Sequence, residues 1–247
     1  MFSNNKITYS FGTVECISPE KNNSNLITKA DLNSSLSENQ LIASGKGSRA
    51  EVRFENLICR IGSLSVAKWN GGNKFWIHSG SLLFCLPETT TCEFSSSQAK
   101  CQLQAKGTFI IEATSNGGFK LIPLEAKGFI KTENGDKKEL IGGRLLLILG
   151  NPTQFGDAYD IDIMLLLKSS RLINAFPSPL PTFERIGLAV YVQELKLKGK
   201  YDALIGDATT NENLQLWKFG KRTGAEPSTS QNPESNKGFF KSFFGKE

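Results

Sequence analysis

From Ala43 to Phe129 apolar residues fall at every second position or in short unbroken runs, and Gly or Gly-Ser introduces each run. This is how a row of short antiparallel strands is written. Ala50, Val52 and Phe54 point one way and Glu51, Arg53 and Glu55 the other, the signature of a half-solvated strand. Glu55-Asn56 makes a turn, after which Leu57, Cys59 and Ile61 resume the inward face with Arg60 outward. Ala99, Cys101, Leu103 and Ala105 alternate with Lys and Gln, and Phe109 and Ile111 go inward after Gly107. NGGN at 70–73, Asn116-Gly117-Gly118 and Asn134-Gly135-Asp136 are hairpin signals. They predict a meander that needs no parallel pairing. Near the N-terminus Ile7, Tyr9 and Phe11 share a predicted face; Gly12 breaks the strand before Val14 and Cys16. A polar excursion follows, with a short strand around Asn25 to Thr28.

After Pro152 the period changes. Asp157 to Asn174 has near-helical apolar spacing, with acids early and bases late, which suits the helix dipole. PSPLP at 177–181 ends it, and Thr182-Phe183-Glu184 opens a second predicted helix that Gly199 stops, with a strand over LAVYVQELKLK as the alternative because of its β-branched residues and the alternation of Leu195 and Leu197. One or two short strands are expected between Tyr201 and Phe219. Residues 221–236 cannot bury apolar area and are expected to be disordered. The predicted class is therefore mainly β: an antiparallel β-sandwich or β-roll of about a dozen short strands, followed by a small C-terminal helical extension packed on one end. The expected organisation is a β-domain over 1–153, a helical extension with a short terminal strand over 154–220, and a tail with an aromatic end over 221–247.

Composition changes this picture little. The 247 residues carry a net charge of +5 and a pI near 8.9, a mild excess that does not point to nucleic acid without a clustered patch. The five cysteines, Cys16, Cys59, Cys85, Cys92 and Cys101, form no CxxC, and with His78 as the single histidine they make no zinc set. Buried free thiols are expected, with Cys85 paired to Cys92 or Cys101 across a hairpin as the exception to examine. MFSNNKITYSFGTVECIS lacks an apolar signal-peptide core, and the longest apolar runs, Leu145–Leu149 and Ile163–Leu167, are too short to span a bilayer as helices. On this reading the chain stays where it is made. No GxSxG and no P-loop occurs, so neither an enzyme activity nor a cofactor is expected.

GKGSRAEVRFENLICRIGSLSVAKW, HSGSLLFCLP and AKGTFIIEATSNGGFKLIPLEAKGFIK together resemble the FecR domain family. That family shows a run of the type gxxSRaELxF-dgsxxRlGxxS, a GxLxxxxP strand and a GTxFxVE segment closing on a Gly-rich turn. The corresponding pieces here are Gly47–Phe54, Arg60–Ser65, Gly80–Pro87, Gly107–Glu112, Gly117–Gly128 and Gly142–Gly143, with Phe11–Ile17 as the opening strand. The resemblance covers roughly residues 8 to 150. It implies a non-catalytic all-β module, usually in the bacterial periplasm or envelope, that acts through protein contacts or an envelope glycan; some members relay signals to sigma factors. The cytoplasmic helical segment and membrane span of the relay members are not seen here.

Two candidate sites follow from the residues. Trp69, Trp76 and His78 surround one hairpin; if Phe75 and Ile77 face inward, Trp76 beside His78 could stack on a sugar ring or other flat ligand. The plainer alternative makes Trp76 a cover for the second face of the roll. In the tail, Phe239, Phe240, Phe243 and Phe244 would form one aromatic edge if helical. They would serve a protein partner's groove, a weak membrane-surface contact, or packing back on the chain itself. Asp157, Asp160 and Asp162 are expected to serve a helix N-terminus rather than a cation.

Overall fold

A computed structural model describes residues 5–19, 25–197, 204–205 and 216–217. Its strands are β1 (Lys6–Phe11), β2 (Val14–Pro19), β3 (Asn25–Lys29), β4 (Leu41–Ser44), β5 (Arg49–Arg53), β6 (Ile58–Ile61), β7 (Val66–Trp69), β8 (Lys74–Ser79), β9 (Ser81–Ser95), β10 (Lys100–Ala113), β11 (Phe119–Pro123), β12 (Lys127–Thr132), β13 (Lys137–Glu139), β14 (Arg144–Leu149) and β15 (Gln154–Asp160). All fifteen belong to one pairing network. Three helices follow, α1 (Ile163–Ser169), α2 (Arg171–Asn174) and α3 (Phe183–Leu197), then the paired strands β16 (Leu204–Ile205) and β17 (Leu216–Trp217). The class is mainly β and sandwich-like with a small C-terminal helical part. Residues 221–247, with the four tail phenylalanines, lie outside the described residues.

The long hairpin β9–β10 belongs to both layers of the sandwich. Its Leu82–Cys85 end pairs with β6 and its Phe109–Ala113 end with β11. Its Glu93–Ser95 end pairs with β8 and its Cys101–Lys106 end with β12. A register shift between Ala105 and Gly107 marks the passage between layers. The first sheet therefore runs β1-β5-β6-β9-β10-β11-β14-β15, and the second β3-β2-β4-β7-β8-β9-β10-β12-β13. The three Asn-Gly turns and Glu55-Asn56 all close antiparallel hairpins, as expected. The pure meander does not hold, because β8 and β9 pair in parallel. After β8 the chain turns at Gly80, crosses the first sheet, and re-enters the second alongside β8 in the same direction.

Small residues make that corner possible. Gly80 has φ +77°, and a Cβ there would sit 2.5 Å from the Ser65 Cα. The Ser81 amide donates to Ser65 Oγ at 3.0 Å, and the Ser65 amide donates to Ser44 Oγ at 3.0 Å. Ser44 Oγ in turn donates to the Gly62 carbonyl. The Gly62-Ser63 and Gly80-Ser81 breaks thus meet at a buried polar corner, where the Ser44 and Ser65 hydroxyls replace ladder bonds lost as the chain changes sheet.

Two cores result. Between the sheets lie Val52, Ile61, Phe84, Phe94, Phe109, Leu121 and Ile148, among others, with Phe84 against Phe94 at 4.8 Å between ring centroids. On the far side of the first sheet Ile58, Leu83, Cys85, Ile110, Ile122 and Leu145 pack under Leu166, Leu172, Ile186 and Val190 of the helices. This accounts for the unbroken runs SLLFCLP and FII: strands buried on both faces need no polar alternation.

The helices therefore cover a face of the sheet rather than one end of the domain. The expected solvated face of β5 is buried where they sit. Glu51 is 6% exposed and Arg60 has no exposed surface. Arg60 Nε pairs with Glu51 Oε2 at 2.8 Å, and Glu51 Oε1 accepts from Thr8 Oγ1 at 2.8 Å. Arg60 Nη1 donates to the Leu172 and Ile173 carbonyls at 3.1 Å each, and Nη2 to the Ser178 carbonyl. Its guanidinium lies 4.3 Å from the Phe176 ring centroid. Arg49 Nε donates to the Ala175 carbonyl at 2.7 Å. The two arginines of the SRAE…R motif thus hold the 172–178 segment on the sheet. A planar guanidinium suits this, because its five donors fan out in fixed directions.

Three local expectations change. A register shift between Ile7 and Tyr9 separates them: Ile7 is buried in the inter-sheet core, whereas Tyr9 pairs with Glu51 and packs on Phe176 at 5.3 Å. The first helix begins at Ile163 rather than Asp157, and Asp157 and Asp160 belong to β15. Their alternating neighbours pair with β14, which outweighs a helical charge order. Asp162 alone acts as expected, its Oδ1 accepting the Leu165 amide at 2.8 Å. The helix then breaks at Ser170, whose backbone is extended. The second predicted helix matches α3 closely.

Candidate interaction surface

The helices close the outer face of the first sheet, which leaves the outer face of the second sheet as the broad open surface among the described residues. Strand register fixes what it displays. One row crosses six strands as Ile27, Ile17, Leu41, Lys68, Trp76 and Ser95. A second row places Lys74, Glu93, Gln102, Lys131 and Lys137 side by side, and a third Thr91, Gln104, Phe129 and Glu139. Except for Ile27 and Lys137, each has a buried neighbour along the chain and so points outward; those two take their side from Ile17 and Lys131, with which they pair. The surface is apolar along β3, β2 and β4, aromatic at β8, and lysine-rich towards β12 and β13.

The aromatic groups are held in place. Trp76 stacks on His78 with centroids 5.3 Å apart and planes at 26°. Lys68 Nζ lies 5.7 Å from the Trp76 ring, and Lys137 Nζ lies 3.6 Å from Phe129. Such cation–π contacts fix a ring without hiding it. Lys100 bridges Glu93 at 3.5 Å and Glu133 at 3.6 Å.

The three residues expected around the hairpin are divided. Trp76 and His78 share the open face. Trp69 does not: it pairs with Phe75, one position out of phase with Trp76, and so points into the inter-sheet core. It is 6% exposed, packs on Phe54, and donates from Nε1 to the Gly72 carbonyl at 2.7 Å. It is removed from the ligand-facing set. Sequence reasoning missed Ile17, Ile27, Leu41, Lys68 and Phe129. Ile17 was legible as the outward neighbour of Cys16; the others needed the strand order.

The remaining chemistry is quiet. All five thiols are buried and free, including Cys85, Cys92 and Cys101. Burial raises every one, to about 11 for Cys16 and about 12 for Cys92. Cys85 is raised chiefly by burial, against hydrogen bonds from Thr182 and Thr108. No cluster of three or more His, Cys, Asp or Glu among the described residues could hold a metal ion. An open cleft of about 680 Å³ beside the β5–β6 turn is lined by Phe54, Pro87, Thr89 and Pro181, with Glu55 and Glu88 as its carboxylates. Another of about 260 Å³ has Glu139 alone, beside Lys138 and Arg144. Glu125 is half-buried beside α3, where it accepts the Thr108 amide at 2.9 Å and pairs with Arg185 at 3.5 Å. Burial raises its pKa, against the pull of Arg185 and Thr108.

No family model matches the chain, and no curated protein matches it. Among solved structures it is similar in fold to two crystal structures of proposed anti-sigma factors from Parabacteroides distasonis. One has a TM-score of 0.40 and 10% identity, over 51% of this chain and 63% of that chain, less than two thirds of it. The other has a TM-score of 0.41 and 9% identity, over 84% of this chain and 94% of that chain.

Proposed function

We propose that this chain is a non-catalytic binding module of FecR type, which holds a protein partner on the outer face of its second sheet. The observation that carries this reading is the row Ile27–Ile17–Leu41–Lys68–Trp76, laid across adjacent strands with lysines beyond it. An apolar and aromatic centre with a charged border is the make-up of a protein interface. The lysine side favours a partner with acidic groups at that edge. The raised thiols and the scattered carboxylates of the two clefts support a non-catalytic role. The SRAE…R and Gly-Ser motifs support the family reading, from which the envelope location and the sigma-factor relay alternative also come. An envelope glycan is the other kind of ligand for Trp76 beside His78; the apolar row beyond them favours protein.

The test is a pull-down from the source cells with wild type, Leu41→Lys and Trp76→Ala, each checked for an unchanged melting temperature. A partner retained by wild type and lost with both variants is expected. Equal retention by all three removes this face from the function. A sigma factor or its receptor as the captured protein would make the module a relay component. Quenching of Trp76 fluorescence by a polysaccharide, with no protein captured, would replace the protein partner by a glycan.

A further inference from the structure

Helix α3 is apolar on two sides. Ile186 and Val190 are buried against the first sheet, and Gln193 fixes the same side by accepting the Ile163 amide at 2.9 Å. On the other side Leu188, Tyr191, Val192 and Leu195 are 62%, 51%, 38% and 60% exposed. Their spacing, i, i+3, i+4 and i+7, makes one continuous stripe. A helix resting on a single core carries polar residues there, so this stripe is built to be covered.

We propose that its occupant is the chain's own segment Phe239–Phe244. The four phenylalanines of GFFKSFFG fall at i, i+1, i+4 and i+5, which gathers them on one edge of a helical turn to lie along the stripe. Charge agrees: exposed Glu184 and Glu194 flank the stripe, and Lys237, Lys241 and Lys246 flank the aromatic segment. Reach is ample. Residues 198–238 join α3 to the segment; β16 and β17 pair within this stretch, and a flexible chain as long as the roughly 27 residues outside that hairpin spans about 28 Å, against about 22 Å for the whole of α3. Area argues against a second copy. Four side chains fall well short of the roughly 800 Å² per partner of a stable interface. A tethered segment does not need that area, because its effective concentration is on the order of millimolar.

The experiment uses full-length protein throughout and a fluorescent peptide of residues 237–247, read by anisotropy. A chain with Phe239, Phe240, Phe243 and Phe244 all changed to Ser should bind the peptide. Wild type, with its stripe already filled, should bind it about tenfold more weakly. Adding Leu188→Glu and Leu195→Glu to the tail-substituted chain should abolish binding; both sites are exposed, so an unchanged melting curve is expected. Equal binding by wild type and the tail-substituted chain overturns the proposal, as does binding that survives the two glutamates. A dimer that forms in wild type and is lost with Leu188→Glu and Leu195→Glu overturns it in favour of a second copy.

Discussion

Arg60 tests the joint between sheet and helices most directly. Arg60→Ala removes a guanidinium with no exposed surface that makes one ion pair and three hydrogen bonds to carbonyls. It leaves Glu51 buried with Thr8 as its remaining donor, and the Leu172, Ile173 and Ser178 carbonyls lose their arginine. Breaking a buried pair from one side costs about 3–5 kcal/mol. Stranded carbonyls cost about 1–3 kcal/mol each, but water entering the vacated space relieves part of that, so the terms do not add. The expected loss is about 4 kcal/mol, much of the ~5–15 kcal/mol that holds a domain folded. Urea unfolding followed by tryptophan fluorescence and far-UV circular dichroism measures it. Glu51→Gln combined with Arg60→Met separates the charge pair from the carbonyl contacts, and a coupling of about 2 kcal/mol is expected. A loss below about 1 kcal/mol for Arg60→Ala, or a coupling near zero, would refute a desolvated anchor holding the helical layer.

Gly80→Ala should cost about 3 kcal/mol or more, since its Cβ would strike the Ser65 backbone at a left-handed φ; Gly47→Ala, with φ +73° and open space around it, should cost about 1 kcal/mol. Comparing their urea midpoints checks the pair, and equal losses would mean the corner is not tightly packed. Native protein should react with less than about one equivalent of a thiol reagent at pH 8, and all five cysteines should react in guanidinium, because the buried thiols are held protonated. For Glu125 the folded pKa lies above the unfolded one, so the folded state binds the extra proton. Its contribution is full below the ordinary carboxyl pKa of about 4.3 and falls as pH rises through the folded value. Wild type should therefore lose stability relative to Glu125→Gln as pH rises above the ordinary carboxyl pKa. A relative gain would show that Arg185 outweighs burial.

Much of the β architecture was legible because its determinants are local. Asn-Gly pairs select tight hairpins whatever surrounds them, and alternation in AEVRF and CQLQA names the inward residues of each strand. The unbroken runs SLLFCLP of β9 and FII of β10 were legible as strands, but their burial on both faces came only from the helices that cover the first sheet. The candidate surface was half legible. Trp76 and His78 could be assigned to one side by counting in twos, whereas Trp69 needed its pairing with Phe75.

For the hairpins closed by Asn-Gly and Glu55-Asn56 the sequence by itself determined where strands turn and which of their residues share a side, since these depend on backbone preferences within a few residues; it did not for β15 or for Ile7 and Tyr9 of β1. Tertiary structure alone decided which sheet face the helices cover, that Arg60 is buried rather than solvated, and that Ile27, Leu41 and Trp76 stand in one row. Those facts come from pairing between distant segments. A charged residue at an outward position is written the same way whether water or a helix lies above it.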